Sequence, residues 1–293
     1  MTKPTILFPS DPLSPWKVDD AFLSELEAAQ VAKLTTGLVN VEAVLKDEIE
    51  EALIRAPKEA GLTVYRGWML KPRQYSAVYE ALVDRGTQLI NTLEQYRTCH
   101  YLPYSYPFIL EHTPKTVWFK SLDHLDEALD TFGESPVIVK DYVKSQKHYW
   151  AEACFIPRAS DRDTAHKVVN RFLQLQGDDL NEGIVLRQYV PLKILGQHPK
   201  SGTPLAAEFR IFWLDGRPIM ADPYWGKLTT HDVQLLPLVD LTSIARQVPS
   251  LFFSMDVAFL EDGSWTIVEL GDGQVSGLPD DANAIDFYLR LAG

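Results

Sequence analysis

The sequence predicts an α+β protein, an α/β N-terminal layer followed by two α+β subdomains. Three observations predict it. Roughly the first 110 residues alternate strand-like and helix-like runs, the pattern of a small α/β layer. The middle of the chain instead places strands around two helical segments. Two late stretches, "AAEFRIFWLDGRPIMADPYW" and "FFSMDVAFLEDGSWTIVEL", hold Asp-Gly between apolar runs, the strongest short-range hairpin signal. The implied divisions are residues 1–110, 111–190 and 191–293.

In order, "TILFPSDP" is a short strand entering a proline-bounded loop. "DDAFLSELEAAQ" has helical spacing, with Asp19 or Asp20 as cap. "VEAVLKDEIEEALIRA" predicts a second helix and "LTVYRGWML" a strand. "PRQYSAVYEALVDRG" carries proline near its first turn and Gly86 at its end, the asymmetry of a helix. "TQLIN" is a short strand. Further on, "PKTVWF", "PVIVKDY", "HYWAEACFIP" and "GIVLRQYVPL" predict strands, with helices over "SLDHLDEALDTFG" and "DTAHKVVNRFLQLQ". The two hairpins follow, turning at Asp215-Gly216 and Asp262-Gly263, and "DDANAIDFYLRLA" predicts a closing helix.

Composition narrows the function. The 293 residues are 46% hydrophobic and 23% charged, enough for two or three subdomains with their own cores. A net charge of −12 disfavours general binding to nucleic acid or anionic membrane. No run of eighteen apolar residues occurs, so no membrane span is expected. The start "MTKPTILFPSDPLSP" lacks the apolar core of a secretory signal. Two cysteines, Cys99 and Cys154, give neither a disulfide framework nor metal-ligand spacing, which points to a reducing cytoplasm. The seven histidines (His100, His112, His124, His148, His166, His198 and His231) are scattered and none is given a catalytic role.

The second hairpin carries the chemistry. With a two-residue loop at Asp262-Gly263, Glu261 faces Ser264 and Asp256 faces Glu269 on one side of the ribbon. Two opposed carboxylates destabilise a strand pair and call for an offset: a raised pKa, a basic side chain or a cation. With no His or Cys nearby, the cation that fits is Mg²⁺ bound partly through substrate phosphates. The alternative is a solvated hairpin end or a longer loop with another register. Asp272, in the following turn, is either a third ligand or a turn residue. Cations for a polyphosphate are also present. Lys140 ends "VIVK", Lys144 and Lys147 follow in "DYVKSQK", Arg210 sits in "AEFRIF", and Arg187 and Lys193 flank "RQYVPLK". "GIVLRQYVPL" exits through a proline. Its last backbone groups either read an adenine edge, with Gln188 and Tyr189 beside them, or end an ordinary edge strand.

Taken in order, the lysine-ended strand, the basic loop, the Tyr-Val-Pro turn, "EFR", "MDVAF" and "VELGDG" resemble the ATP-grasp superfamily over roughly residues 110–293. More narrowly they resemble its arginine/lysine-signature clade of bacterial and phage proteins, which is distantly similar to a eukaryotic cell-division-cycle ATP-grasp assembly factor. The resemblance implies a nucleotide held between two α+β subdomains, with residues 1–110 as a pre-ATP-grasp domain. Lys140 would meet the α/β-phosphates. Lys147 and Ser145 would close the phosphate loop, and Gln188, Tyr189 and Val190 would form the adenine hinge. Lys193 would lie near ribose or phosphate, and Arg210 would reach the γ-phosphate. Asp256 and Glu269 would hold Mg²⁺. Three departures stand out. Gly271 replaces the usual asparagine, the phosphate loop has no glycine, and the first ATP-binding lysine is matched by Arg97, Lys115 or Lys120.

The implied activity is an ATP- and Mg²⁺-dependent carboxylate–amine ligase working through an acyl phosphate, which needs no side-chain nucleophile. The acceptor, a small molecule, peptide or protein tail, would meet Arg66, Gly67 and Trp68 and the loop bearing Ser10 and Asp11. For Arg66 and Trp68 a packed stem with a surface cation is the competing reading. Two other functions compete. One is an ATP-binding assembly chaperone or interaction protein without ligase activity. The other is nucleotidyl transfer with Lys140 as a covalent nucleophile, against which the lack of an extended basic surface counts.

Overall fold

The computed structural model describes residues 3–197, 204–225 and 232–293; His198 and His231 lie outside them. The chain divides into two compact units, neither continuous in sequence. Unit 1 comprises Met1–Cys99, Glu208–Asp256 and Leu270–Gly293; unit 2 comprises His100–Ala207 and Val257–Glu269. Each body is closed by a segment that returns from the far end of the chain.

Unit 1 is built on a parallel sheet. β1 (Thr5–Pro9), β2 (Thr36–Val39), β3 (Gly61–Tyr65) and β4 (Thr87–Leu89) lie in the order β2-β1-β3-β4. Alternation splits β1 between two cores. Ile6 and Phe8 pack with Phe212, Phe252, Phe287 and Tyr288, while Leu7 packs with Val39, Tyr65, Tyr75 and Tyr96. Asp19, rather than Asp20, caps the first helical turn, accepting from the Ala21 N–H at 2.9 Å. The predicted second helix is two pieces, Val41–Leu45 and Ile49–Ala52. Asp47 breaks it by adopting φ 62°, which Asp tolerates better than most residues. Pro72–Val83 forms the next helix, and Gly86 takes φ 73° beyond its end.

Unit 2 is an antiparallel sheet with helices on one face. β5 (Thr116–Phe119), β6 (Val137–Asp141), β7 (Phe155–Ile156) and β8 (Ile184–Gln188) run in the order β5-β8-β6-β7. Val137, Val139, Ile184 and Leu186 point to the helices Leu125–Asp130 and Arg162–Gln176, where Phe172, Val169 and Leu129 complete the core. Ile138, Lys140, Val185 and Arg187 point to the other face. The strand expected over "HYWAEACFIP" is cut to Phe155–Ile156, because Trp150–Cys154 coils as one wide helical turn. Other elements are helices Leu23–Val31, Leu93–His100, Leu102–Ile109, Leu238–Ala245 and the closing Ala284–Leu291, and a two-stranded pair of β9 (Ile194–Gln197) with β10 (Pro204–Ala206).

The two Asp-Gly hairpins differ. β11 (Glu208–Leu214) pairs with β12 (Arg217–Pro223), Leu214 opposite Arg217. Asp215 and Gly216 form its two-residue turn, with φ 48° and 67°, both positive as a type I′ turn requires. β13 (Phe252–Phe259) and β14 (Trp265–Asp272) follow in the sheet β12-β11-β13-β14, and the division into units cuts both of them. Their turn is one residue longer than expected. Leu260 N–H donates to Ser264 O at 2.8 Å and Gly263 N–H to Leu260 O at 3.1 Å, so Glu261, Asp262 and Gly263 form the loop. The cause is local: the Asp262 carboxylate accepts from both the Ser264 N–H and its hydroxyl, and Gly263 alone turns left-handed, at φ 86°. At the other end Gly273 N–H bonds Phe252 O, one residue out of step with the turn. The turn is longer than the expected two residues, but this far-end bond lies in the register that a two-residue turn would give.

Candidate functional site

In unit 2, Lys140 stands on the sheet face that the helices leave open. Its Nζ lies 3.1 Å from Glu269 Oε2, with the lysine side chain 12% exposed and the carboxylate 41%. Arg187, on the neighbouring strand, is buried and donates through Nη2 to Thr113 Oγ1, Ile267 O and Val268 O. Burial pulls its pKa down to about 10 against the attraction of Glu269. This arginine thus ties β8 to the Ile267–Val268 backbone. His100 belongs to the same cluster, though nothing in its sequence context marks it. Burial pulls its pKa down to about 4, with Lys144 and Lys140 acting in the same sense and Glu269 and Asp141 against it, so it is neutral at pH 7.

The loop after β6 is held by a residue that the sequence alone did not single out. Asp141 is fully buried. Its Oδ1 accepts from the N–H groups of Val143 and Lys144, and its Oδ2 from Gln176 Nε2 and from Asn181 N and Nδ2. A carboxylate with so many donors fixes a loop that lacks the glycine expected of it. Its pattern, an acid one residue beyond a strand lysine, was the available signal. Lys144, Lys147 and Lys193 are exposed. Cys154 is buried beneath the loop. Burial pushes its thiol up to about 11, against Lys147, Ser145 and Lys140, so it stays protonated.

At the end of β8, the Gln188 N–H donates to Lys115 O and the Tyr189 N–H to Pro136 O, so neither is free to read a base. Tyr189 instead joins an aromatic group. Trp150 and Phe155 stack at 5.2 Å, and Tyr189 meets both edge-on at 6.0 and 5.2 Å. Lys115 reaches Thr131 O at 2.6 Å and lies over the Phe132 ring, on the helix side of the sheet and away from Lys140. Lys120 borders a cavity on that same side. Arg97, the third candidate for the first ATP-binding cation, is half-buried on Leu93–His100.

In unit 1, Arg210 grips Asp256 with both prongs, Nε to Oδ1 at 2.8 Å and Nη2 to Oδ2 at 2.7 Å. Its Nη1 donates to Gly277 O, and its guanidinium lies 4.7 Å from the Tyr224 ring centroid. Asp272 is fully buried; Asn91 Nδ2 reaches Oδ2 at 2.6 Å, and Gln274 N and Nε2 reach Oδ1. Burial pushes its pKa up to about 6. A carboxyl so enclosed organises the turn rather than facing a cation in water. Gly271 is required by its neighbours: a Cβ there would lie 2.5 Å from Ser276 Oγ and 2.7 Å from Ser254 Oγ, which are themselves 2.7 Å apart.

The expected acceptor residues part company. Arg66 is 1% exposed and bonds Glu25 through Nε and Nη2, each at 3.0 Å, and the carbonyls of Gly273 and Ser276 through Nη1. Burial works against its charge, yet Glu25 and Tyr288 more than offset that, and its pKa is raised. It is therefore not a surface cation. Trp68 remains 48% exposed, edge-on to Phe22 and donating to Asp19 Oδ2 at 2.9 Å. Asp11 caps its own loop through the N–H groups of Leu13 and Ser14. Ser10 Oγ is buried without a hydrogen-bond partner. These residues follow β1 and β3, where the strand order β2-β1-β3-β4 reverses, and ligands of parallel sheets bind beyond the strands' carboxyl ends at such a point. Among the described residues no group of three or more His, Cys, Asp or Glu is set to hold a metal ion.

The chain is an ATP-grasp protein. Residues 128–291 match family 3 of the ATP-grasp domains in the arginine/lysine-signature clade, and the chain belongs to that family. Solved structures agree at the level of fold. An RimK-domain ATP-grasp protein from Sphaerobacter thermophilus superposes with TM-score 0.61 at 13% identity, covering 98% of this chain and 97% of that one. The D-cycloserine synthetase DcsG gives 0.61 at 15%, covering 98% of both chains. The ATP-grasp ligase PsnB, solved with a minimal precursor, Mg and ADP, gives 0.54 at 11%, covering 98% of this chain and 96% of that one. No curated protein matches the chain in sequence.

Proposed function

We propose that the protein is an ATP- and Mg²⁺-dependent ligase that activates a carboxylate as an acyl phosphate and transfers it to an amine. One observation carries the reading. Each acid assigned to the metal is paired with a cation assigned to phosphate: Glu269 with Lys140, and Asp256 with Arg210. Buried charges of either sign are tolerated when paired, and each pair can exchange its internal partner for the matching half of a metal–polyphosphate. The donor set fits Mg²⁺, a hard cation held by one or two carboxylates with water and substrate phosphates making up the rest. When bound, Mg²⁺ would neutralise phosphate charge and orient the phosphoryl group.

The chain's own residues then act as follows. Lys140 receives the α/β-phosphates. Arg210 turns from Asp256 to the γ-phosphate and holds the charge that spreads over it during transfer. The neutral His100 and the loop fixed by Asp141 border the phosphates. Tyr189, Phe155 and Trp150 give the base an apolar wall beside Val190. Lys147 closes over the phosphates, and Lys193 lies toward the ribose. Asp272, expected as a metal ligand, and Arg66, expected as an acceptor contact, are left out because their polar atoms are already engaged. The acceptor would be met by Trp68, Asp11 and Ser10. PsnB was solved with a precursor peptide, and a peptide or a small amine or carboxylate suits this reading equally.

Phosphate release with ATP and Mg²⁺ tests it, measured against a panel of amino acids, small carboxylates and peptides. Acceptor-dependent release with a product carrying a new amide supports ligation. ATP binding with no release under any acceptor supports the assembly-protein reading. AMP retained on Lys140 supports nucleotidyl transfer.

A further inference from the structure

We infer that Arg66 is a positioning residue for Arg210, acting through the consecutive carbonyls of Ser276 and Gly277. The inference rests on the reading that Arg210 meets the γ-phosphate. One buried guanidinium serves two sides. Nε and Nη2 of Arg66 bond Glu25, each at 3.0 Å, while Nη1 donates to Gly273 O and, at 2.8 Å, to Ser276 O. The next carbonyl along the chain, Gly277 O, accepts from Arg210 Nη1 at 2.9 Å. Adjacent carbonyls of one turn thus carry the two arginines.

Arg66 is itself firmly held. Glu25, on the helix Leu23–Val31, also accepts from Tyr288 Oη at 2.6 Å, on the closing helix. The Arg66 guanidinium carbon lies 5.4 Å from the Phe287 ring centroid and 5.6 Å from that of Phe212. Phe212 stands two residues beyond Arg210 on β11, on the same face of the strand. Arg66 therefore contacts both the strand that bears Arg210 and the turn that receives its Nη1. Within that turn Ser276 Oγ is tied to Asp272 O and to Ser254 Oγ, at 2.9 and 2.7 Å, while Arg66 holds the Ser276 carbonyl. Exchange of Asp256 for phosphate releases Nε and Nη2 of Arg210. Gly277 O and the Tyr224 ring, 4.7 Å from the guanidinium, then set its plane. A cation stabilises phosphoryl transfer best when it is fixed before the charge develops. Residue 66 lies outside the matched segment 128–291, so the arginine of that segment takes its alignment from the N-terminal layer. Lysine at position 66 would keep a positive charge beside Glu25 but lacks the planar fork that holds carboxylate and turn together.

Calorimetric titrations of ATP and of ADP, each with Mg²⁺, into the full chain test this, because Arg210 reads the phosphate that only ATP carries. Wild type is expected to prefer ATP about tenfold or more, and Arg210→Ala to abolish the preference. Arg66→Lys, checked for folding by circular dichroism, is expected to lower the preference about fivefold or more while leaving ADP affinity unchanged. Tyr288→Phe weakens the same buried network without touching the turn and should keep the full preference. If Arg66→Lys does not fold, Arg66→Ala/Glu25→Gln, which strands no carboxylate, takes its place with the same expectation. A full preference in the Arg66 variant, or an equal loss in Tyr288→Phe, overturns the inference and leaves the reading of Arg210 standing. Equal affinity of wild type for ATP and ADP, or a preference that survives Arg210→Ala, overturns both.

Discussion

Arg66 shows how far a residue's type underdetermines its role. In sequence it stands in "RGW", within the predicted strand "LTVYRGWML", as an expected acceptor contact. In the structure it is the centre of a buried network with Glu25, Tyr288 and two carbonyls. Its partners lie at residues 25, 273, 276 and 288, and no local pattern reports that convergence. Replacing it strands the Glu25 carboxylate, and breaking a buried pair costs about 3–5 kcal/mol. Arg66→Ala is accordingly expected to lose about that much stability in urea unfolding, with part recovered in Arg66→Ala/Glu25→Gln. His100 was invisible for a similar reason, since its charged neighbours come from β6, the following loop and Glu269. Its pKa in the fold, about 4, lies below the ordinary 6.5, so the unfolded chain takes up the proton first as pH falls. Its contribution to stability is therefore complete above pH 6.5 and is lost toward pH 4. The urea midpoint of His100→Gln should change less between pH 6.5 and 4 than that of wild type; an unchanged slope would show that His100 is solvated.

At the scale of elements, the periodic segments were the readable ones. Arg162–Gln176, Pro72–Val83 and the Asp215-Gly216 hairpin all stand where pattern and capping residues put them. The failures each have a cause. Leu102–Ile109 was given no element, and it holds Pro103 in its opening turn and Pro107 inside it. "HYWAEACFIP" has strand-like residues, yet Trp150–Cys154 coils and Trp150 stacks on Phe155. The second Asp-Gly turn was legible as a turn but not in length, because Ser264 redirects Asp262. The candidate site depends on that hairpin's far end, where Gly271 abuts a pair of serine hydroxyls. Gly271→Ala should lower the melting temperature by several degrees, and Gly271→Ala/Ser276→Ala should recover most of the loss. Equal melting of wild type and Gly271→Ala would show that the serines move aside freely.

On the whole-molecule scale, the α+β class and the ATP-grasp family were legible in the sequence, while the long-range contacts that build each compact unit were not. Unit 1 joins Ile6 and Phe8 to Phe212, Phe252 and Phe287 in one core, and sequence separation hides such contacts. One consequence concerns truncation. The family match spans residues 128–291, yet a fragment of those residues would expose the apolar faces that β1 and the helix Leu23–Val31 cover. It should show no cooperative unfolding transition, whereas the full chain should show one. The central claim is that the two acid–cation pairs are the components of a metal–nucleotide clamp. Calorimetric titration of ATP with Mg²⁺ tests it most directly, using wild type, Lys140→Ala and the Asp256→Asn/Glu269→Gln double variant, all confirmed folded by circular dichroism. The expected result is saturable binding by wild type, weakened at least tenfold in both variants. No binding by wild type, or equal binding by all three proteins, would contradict it.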